Sequence, residues 1–286
     1  MQTLKEALVW AEEKGVAIGH FNISDSEGFN AVIRGVKFLK SSGHSLPVII
    51  GVSEGERDFI GLKEVVAMAM VARAEGVPVF VNADHTYSVL RCKEAIDAQV
   101  DSVIIDMAQE SFEDNIKATR EVVQYAKDRS VLIEGELGFI GQSSKVLEEL
   151  PQGVSEDTQT KIPEAKIYVE ETGIDLFAPS VGNVHGIVKG GEPKLNIKLI
   201  ADLKDTINIP LVLHGASGNS DEDIRRAVEA GIRIIHINTE LRLAYKDGIL
   251  NGIKDQEIAP YKFMAEGVKK MEEVVINKLK LFNNII

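Results

Sequence analysis

Short apolar runs rich in Val and Ile recur along the chain and alternate with stretches of helical period. Eight such runs cover 16–21, 47–53, 77–84, 102–107, 131–137, 175–181, 210–214 and 232–239. Between them, segments such as 27–40, 61–75, 112–129, 221–230 and 241–249 repeat apolar residues at three- and four-residue spacing. That period is the mark of an amphipathic helix, and a near-continuous apolar run marks a strand buried on both faces. The eightfold alternation predicts an α/β fold: a single (β/α)8 TIM barrel over residues 1–286. Asp25 with Ser26, and Ser220 with Asp221, stand where helix caps belong. The stretch 260–282 reads as one long amphipathic helix, extra to the barrel, in a C-terminal segment at 258–283. It can cap the barrel or face another subunit.

Two connections are longer than a barrel needs, 139–162 and 182–193. Both follow strand C-termini, where barrels carry their chemistry, and their glycines and serines suit lids.

The strand ends are polar. The first reaches Asn22, the second Ser53, the third the pair Asp84-His85, and the fourth Asp106. The fifth carries Glu134 and Glu136, and the sixth runs into Gly182-Asn183-Val184-His185-Gly186. The seventh ends His214-Gly215-Ala216-Ser217-Gly218, and the eighth carries His236, Asn238 and Thr239. Each alone is a solvated strand end. Together they deliver three of the six histidines to one barrel mouth. Three imidazoles there can hold a transition metal with one position open, and a carboxylate beside them suits proton transfer. His236 reads either as a further polar group at the mouth or as an inward-facing barrel residue. His20 and His44 read as structural or exposed. Gly182, Gly186, Gly215 and Gly218, with Ser217, Thr239 and Lys189, resemble a phosphate cradle.

Composition narrows the partners. A formal charge of −12 excludes a large nucleic-acid surface. No apolar run is long enough to span a bilayer, and the amphipathic start of the chain lacks a signal-peptide core. A single cysteine, Cys92, fits a reducing cytoplasm and reads as a structural thiol.

The motifs resemble those of the class II, metal-dependent fructose-bisphosphate and tagatose-bisphosphate aldolases over nearly the whole chain. They are HFN at 20–22, PVIIGVS at 47–53, DH at 84–85, EGELG at 134–138, GNVHG at 182–186, LHGASG at 213–218 and NTE at 238–240. The resemblance implies a zinc-dependent aldolase with His85, His185 and His214 as metal ligands. It implies Asp84 as acid/base, with Asp106 and Glu136 behind the ligands or as alternative ones. It implies a phosphate site of Gly186, Lys189, Gly215, Ser217, Asn238 and Thr239, with Asn22 and Ser53 also facing substrate. It further implies a monovalent cation, a sugar-phosphate substrate and a homo-oligomer, dimer or tetramer. Cleavage beside a carbonyl leaves an enediolate, which a divalent Lewis acid stabilises without a Schiff-base lysine.

Four features depart from the family pattern. Asn82 stands where a histidine is usual, and Gly141-Gln142-Ser143-Ser144 replaces a loop with acids. Glu148 or Glu149 would substitute only if that loop folds back. Ile234 and His236 replace a lysine and an asparagine, and Pro260-Tyr261 replaces a Pro-Arg pair that serves a distal phosphate. The alternatives are therefore an aldolase for another sugar phosphate or a weakly catalytic sugar-phosphate-binding protein. A hydrolase barrel is a further one, resting on Glu134 and Glu136.

Overall fold

In the computed structural model, which describes residues 3–141, 144–191, 194–253 and 257–286, the apolar runs form a closed parallel barrel. Its strands are β1 (Ile18–Asn22), β2 (Val48–Val52), β3 (Val79–Thr86), β4 (Ser102–Ile105) and β5 (Leu132–Leu137), then β7 (Leu176–Pro179), β9 (Leu211–Leu213) and β10 (Ile232–Ile237). Two short strands, β6 (Val146–Leu147) and β8 (Ile187–Val188), lie outside the barrel and pair with each other. They tie the two long connections together. The barrel closes through β1 and β10, where His20 lies opposite His236. Several apolar runs outlast the hydrogen-bonded ladder. Asp106, His214 and Asn238 fall just past it, at the mouth.

Alternation along the strands sorts the interior into layers. At the bottom Ile18, Ile49, Phe80, Leu176, Val212 and Ile234 pack on Leu4, Ala7, Leu8 and Ala11 of the helix Leu4–Lys14. That helix plugs the barrel, and its start is fixed by a Thr3–Glu6 capping box. The layer above is polar and buried: His20, Asn82, Ser102, Glu134, His214 and His236. The opposite strand faces meet the outer helices in the main apolar cluster. Asp25 and Ser220 cap their helices by accepting from the amides of Gly28 and Asp223.

The expected single helix at 260–282 is two, Pro260–Phe263 and Ala265–Phe282, separated at Met264. The break lets Gly267 lie against the backbone of the helix Thr239–Ile253, where a Cβ on Gly248 would collide with it. The apolar face of Ala265–Phe282 (Val268, Met271, Val275, Leu279, Phe282) is buried in the main core. Among the described residues no helix is long and apolar enough to cross a membrane.

Candidate active site and metal centre

Asp84 and His85 are consecutive in β3, yet both side chains reach the mouth. Regular alternation would send them to opposite faces. The β3–β4 register shifts between Ala83 and Thr86, and His85 has φ +34°. A left-handed backbone at a residue with a side chain is uncommon, and here it turns the imidazole inward.

His185 and His214 meet His85 there, and each ring is anchored through one nitrogen. His85 Nδ1 donates to Asp106 Oδ2 at 2.8 Å. His185 Nδ1 donates to the Gly141 carbonyl at 2.8 Å. His214 Nε2 donates to Glu134 Oε1 at 2.7 Å. The other nitrogens are left to converge. His85 Nε2 and His185 Nε2 are 3.2 Å apart. Two ligands of a tetrahedral ion at about 2.0–2.1 Å lie about 3.3 Å from one another. His214 Nδ1 is buried without a hydrogen bond, and so is Glu136 Oε2, 3.3 Å from it. Anchored outer nitrogens, bare inner ones and an unpartnered carboxylate oxygen are the donor set a divalent metal takes. The residues fit the group. Ligand atoms of all three imidazoles lie within 4.8 Å of one another.

Burial opposes charge on every one of these rings, and neighbouring carboxylates decide the balance. It would lower His85, but Asp84 and Asp106 raise that ring to about 9. It would lower His214, but Glu134 and Glu136 hold that ring well above the ordinary imidazole range. For His185 the opposing effects of the Gly141 carbonyl and Asp84 are the smallest. Burial, with charge on His85 and His214, pushes it down to about 3. Burial opposes ionisation of Asp84, yet His85 and the nearby His236 imidazole keep it well below the usual carboxylate range. Burial, then Asp106, raises Glu136.

The rest of the pocket is polar. Asn22, Ser53, Ser144, Gly186, Gly215, Ser217, Asn238 and Thr239 line it with Asp84, His85 and His185. The helix Thr239–Ile253 begins at this wall, and Ser217 Oγ accepts from the Asn238 amide. A helix N-terminus beside glycine turns is an anion site. Gly215 has φ +59°, and a Cβ there would strike the Val184 carbonyl and come within 2.9 Å of the His185 amide. Only glycine lets the two histidine-bearing turns pack so closely.

Lys189 does not join this wall. It follows β8, is largely exposed, and pairs with Glu148 at 2.7 Å. The β6–β8 pairing carries both side chains outward, so Glu148 also stands away from the pocket. Gln142 and Ser143 lie outside the described residues. Ser144, in the stretch where the family pattern has acids, receives a 3.5 Å hydrogen bond from Asn238. Tyr261 and His44 are exposed, whereas His20 is buried under the site.

Two pocket residues, Arg242 and Tyr87, and Glu56 behind the wall were not singled out from the sequence. Asn22 Nδ2 donates to both Asp84 Oδ2 and Glu56 Oε2 at 2.9 Å. Glu56 also accepts from the Ser53 amide and hydroxyl and pairs with Arg242 at 2.5 Å. Arg242 and Tyr87 line the pocket directly. Only the spacing of Ser53 and Glu56, a capping box, was a sequence signal.

A closed parallel barrel with a histidine-rich, carboxylate-backed mouth defines a barrel enzyme of the metal-dependent kind. The chain belongs to the class II fructose-bisphosphate aldolase family, whose model matches residues 2–285. That is a family of metal-dependent aldehyde-lyases. A fructose-bisphosphate aldolase of Staphylococcus epidermidis is 37% identical over 288 residues, covering 98% of this chain and 96% of the relative. One from Geobacillus stearothermophilus is 37% identical over 289 residues, covering 99% and 96%. The crystal structure of the YdjI aldolase of Escherichia coli K12 is similar at a TM-score of 0.79 and 30% identity, covering 99% of this chain and 97% of that one.

Proposed function

We propose that the protein is a zinc-dependent aldolase that cleaves fructose 1,6-bisphosphate to dihydroxyacetone phosphate and an aldehyde, and runs the reverse condensation. The observation that carries this reading is the convergence of His85 Nε2, His185 Nε2 and His214 Nδ1, each ring anchored by its other nitrogen. These atoms would hold one Zn²⁺, with Asp106 and Glu136 behind them. The ion supplies Lewis-acid stabilisation of the enediolate charge.

The chain's own residues do the rest. Asp84, kept ionised and fixed by Asn22, takes the C4 hydroxyl proton in cleavage and returns it in condensation. The amides and hydroxyls of Gly186, Gly215, Ser217, Asn238 and Thr239 hold the phosphate of the dihydroxyacetone phosphate unit. Holding it fixes register, and a misplacement of about 1 Å would cost on the order of a hundredfold. Arg242, beside Glu56 and Ser53, faces the distal end of the substrate. A monovalent cation by the phosphate turns, a cytoplasmic location and a dimer or tetramer belong to the same proposal. Leu243, Leu250, Ile253 and Ile258, exposed on and beyond the helix Thr239–Ile253, support an interface.

A different sugar phosphate is the second reading. It is favoured by Tyr261, exposed where a distal-phosphate arginine was expected, and by Glu148 turned away on Lys189.

The test is a coupled cleavage assay on fructose 1,6-bisphosphate with Zn²⁺-loaded protein, EDTA-stripped protein and Asp84→Ala. Turnover that needs the metal and falls in the variant supports the proposal. A Zn²⁺-loaded protein that does not cleave this sugar refutes the substrate and favours the second reading.

A further inference from the structure

We propose that His236 is a positioning residue for Asp84, and that His20 and Asn82 are its support. This rests on the aldolase reading of Asp84. One carboxylate oxygen, Oδ2, accepts from Asn22 at 2.9 Å. The other, Oδ1, faces His236 Nδ1 at 3.4 Å. Oδ1 is buried and makes no shorter hydrogen bond, and His236 Nδ1 stands nearer to it than His85 Nε2, which is 4.0 Å away.

His236 is itself held on both faces. It stacks on His20 with ring centroids 3.4 Å apart and planes 2° apart, and on His214 at 4.1 Å. His20 Nε2 donates to Asn82 Oδ1 at 3.3 Å, and Asn82 Nδ2 donates to Ser102 Oγ at 2.7 Å. Room for the His20 ring comes from Gly51, where any Cβ would overlap the imidazole. All of these side chains are buried.

Two of the sequence departures thereby become one feature. Asn82 replaces a histidine two residues before Asp84, and His236 replaces an asparagine on the last strand. They meet through His20. His236 brings an imidazole to Asp84 from β10, and Asn82 secures the ring stacked on it. A buried carboxylate must be oriented by something, because each unmade hydrogen bond to it is costly. In this barrel His236 is the group placed to do so, with Nδ1 turned toward Oδ1. Neither its Nε2 nor Asp84 Oδ1 has another hydrogen-bond partner.

The test separates orientation of Asp84 from damage to the metal site. His236→Phe keeps a stacked ring and removes the donor. His236→Asn puts an amide near the place of Nδ1 and restores a donor. With Zn²⁺-loaded protein, kcat for cleavage of fructose 1,6-bisphosphate should fall about 10- to 100-fold in His236→Phe, with KM little changed. His236→Asn should recover most of the loss. Exchange of the C3 hydrogen of dihydroxyacetone phosphate with solvent involves no C4 hydroxyl, so its loss in His236→Phe should be at least tenfold smaller. Zinc content should match in all three proteins. In the metal-free protein, long-range ¹H–¹⁵N spectra should show His236 as the Nδ1–H tautomer.

Equal losses of exchange and cleavage, full cleavage activity in His236→Phe, or an Nε2–H tautomer would each overturn the proposal. Wild-type protein that neither cleaves nor exchanges is a failure of the aldolase reading instead. The tautomer then still decides whether His236 donates to Asp84.

Discussion

His214 Nε2 lies 2.7 Å from Glu134 Oε1, and both side chains are wholly buried within the barrel. This pair sets which nitrogen of His214 faces the pocket. With Nε2 donating inward, Nδ1 is the one that reaches the other imidazoles. A carboxylate behind a ligand fixes its ring and raises its basicity, and losing it costs on the order of 10- to 100-fold in metal affinity. Glu134→Ala is therefore expected to weaken Zn²⁺ binding by that factor, read by competition with a chromophoric chelator. It should also lower stability by about 3–5 kcal/mol, since it strands a buried partner. Unaltered zinc affinity would mean that His214 is not a ligand.

Metal uptake must displace protons. Near pH 7 the metal-free site carries them on His85, raised to about 9 by Asp84 and Asp106 against the opposing effect of burial, and on His214, which Glu134 and Glu136 hold well above the ordinary range despite burial. His185, held down by burial to about 3, has none to lose. Zinc binding is expected to release about two protons, measured by calorimetry in buffers of different ionisation enthalpy.

The same rings shape the stability of the metal-free protein. His85 has a folded pKa above its unfolded value of about 6.5, so its contribution is complete below that pH and is lost as pH rises through about 9. His185 is depressed, so stability falls as pH drops from about 6.5 toward its folded value. The metal-free melting temperature should therefore peak near neutrality, and calorimetry at a series of pH values checks this. Zinc should move the optimum upward, since bound ligands no longer compete with protons.

Gly215 links the two turns that carry His185 and His214. Its φ of +59° disfavours a side chain, and a Cβ would press on the Val184 carbonyl. Gly215→Ala must shift one turn, and the His185 amide lies on the contact. The expected result is a loss of about 1–3 kcal/mol in stability together with weaker zinc binding, seen in thermal melts with and without metal. Gly153→Ala is the control. It also has a positive φ, but a Cβ there meets only the Phe139 ring at 3.6 Å, so its effect should stop at stability.

What the sequence made legible follows from how local each signal is. The barrel was readable because each of its strands is an apolar run buried on both faces. His185 and His214 were readable because glycine-bounded turns follow strands and must lie at the mouth. The pair Asp84-His85 was readable as a strand end at the mouth, but the means was not, since alternation alone sends the two apart and the irregular β3–β4 register brings them together. Lys189 looked like a phosphate contact, but the pairing of β6 with β8 joins two distant loops and turns it outward to Glu148. The helix Leu4–Lys14 showed its amphipathicity but not its place, because its partners are the inward residues of distant strands. Arg242 and Glu56 sit in helices, where a charged residue reads as surface until the fold brings the two together.

Arg242 yields the sharpest test of substrate class. Its guanidinium lines the pocket on the side of Asn22 and Ser53, and its side chain remains 45% exposed while pairing with Glu56. Glu56 is already committed to Asn22 and Ser53, so it cannot follow Arg242 into the pocket. A guanidinium placed so recognises an anionic group, and such charged hydrogen bonds are worth about 1.5–3 kcal/mol. Arg242→Ala should raise KM for fructose 1,6-bisphosphate about 10- to 100-fold and leave kcat within a fewfold. For fructose 1-phosphate, which lacks the distal phosphate, the same substitution should change KM little. An equal loss on both sugars would place Arg242 on the shared part of the substrate. It would also leave the distal end of the pocket without a cation, as the exposed Tyr261 already suggests for a substrate that carries one phosphate.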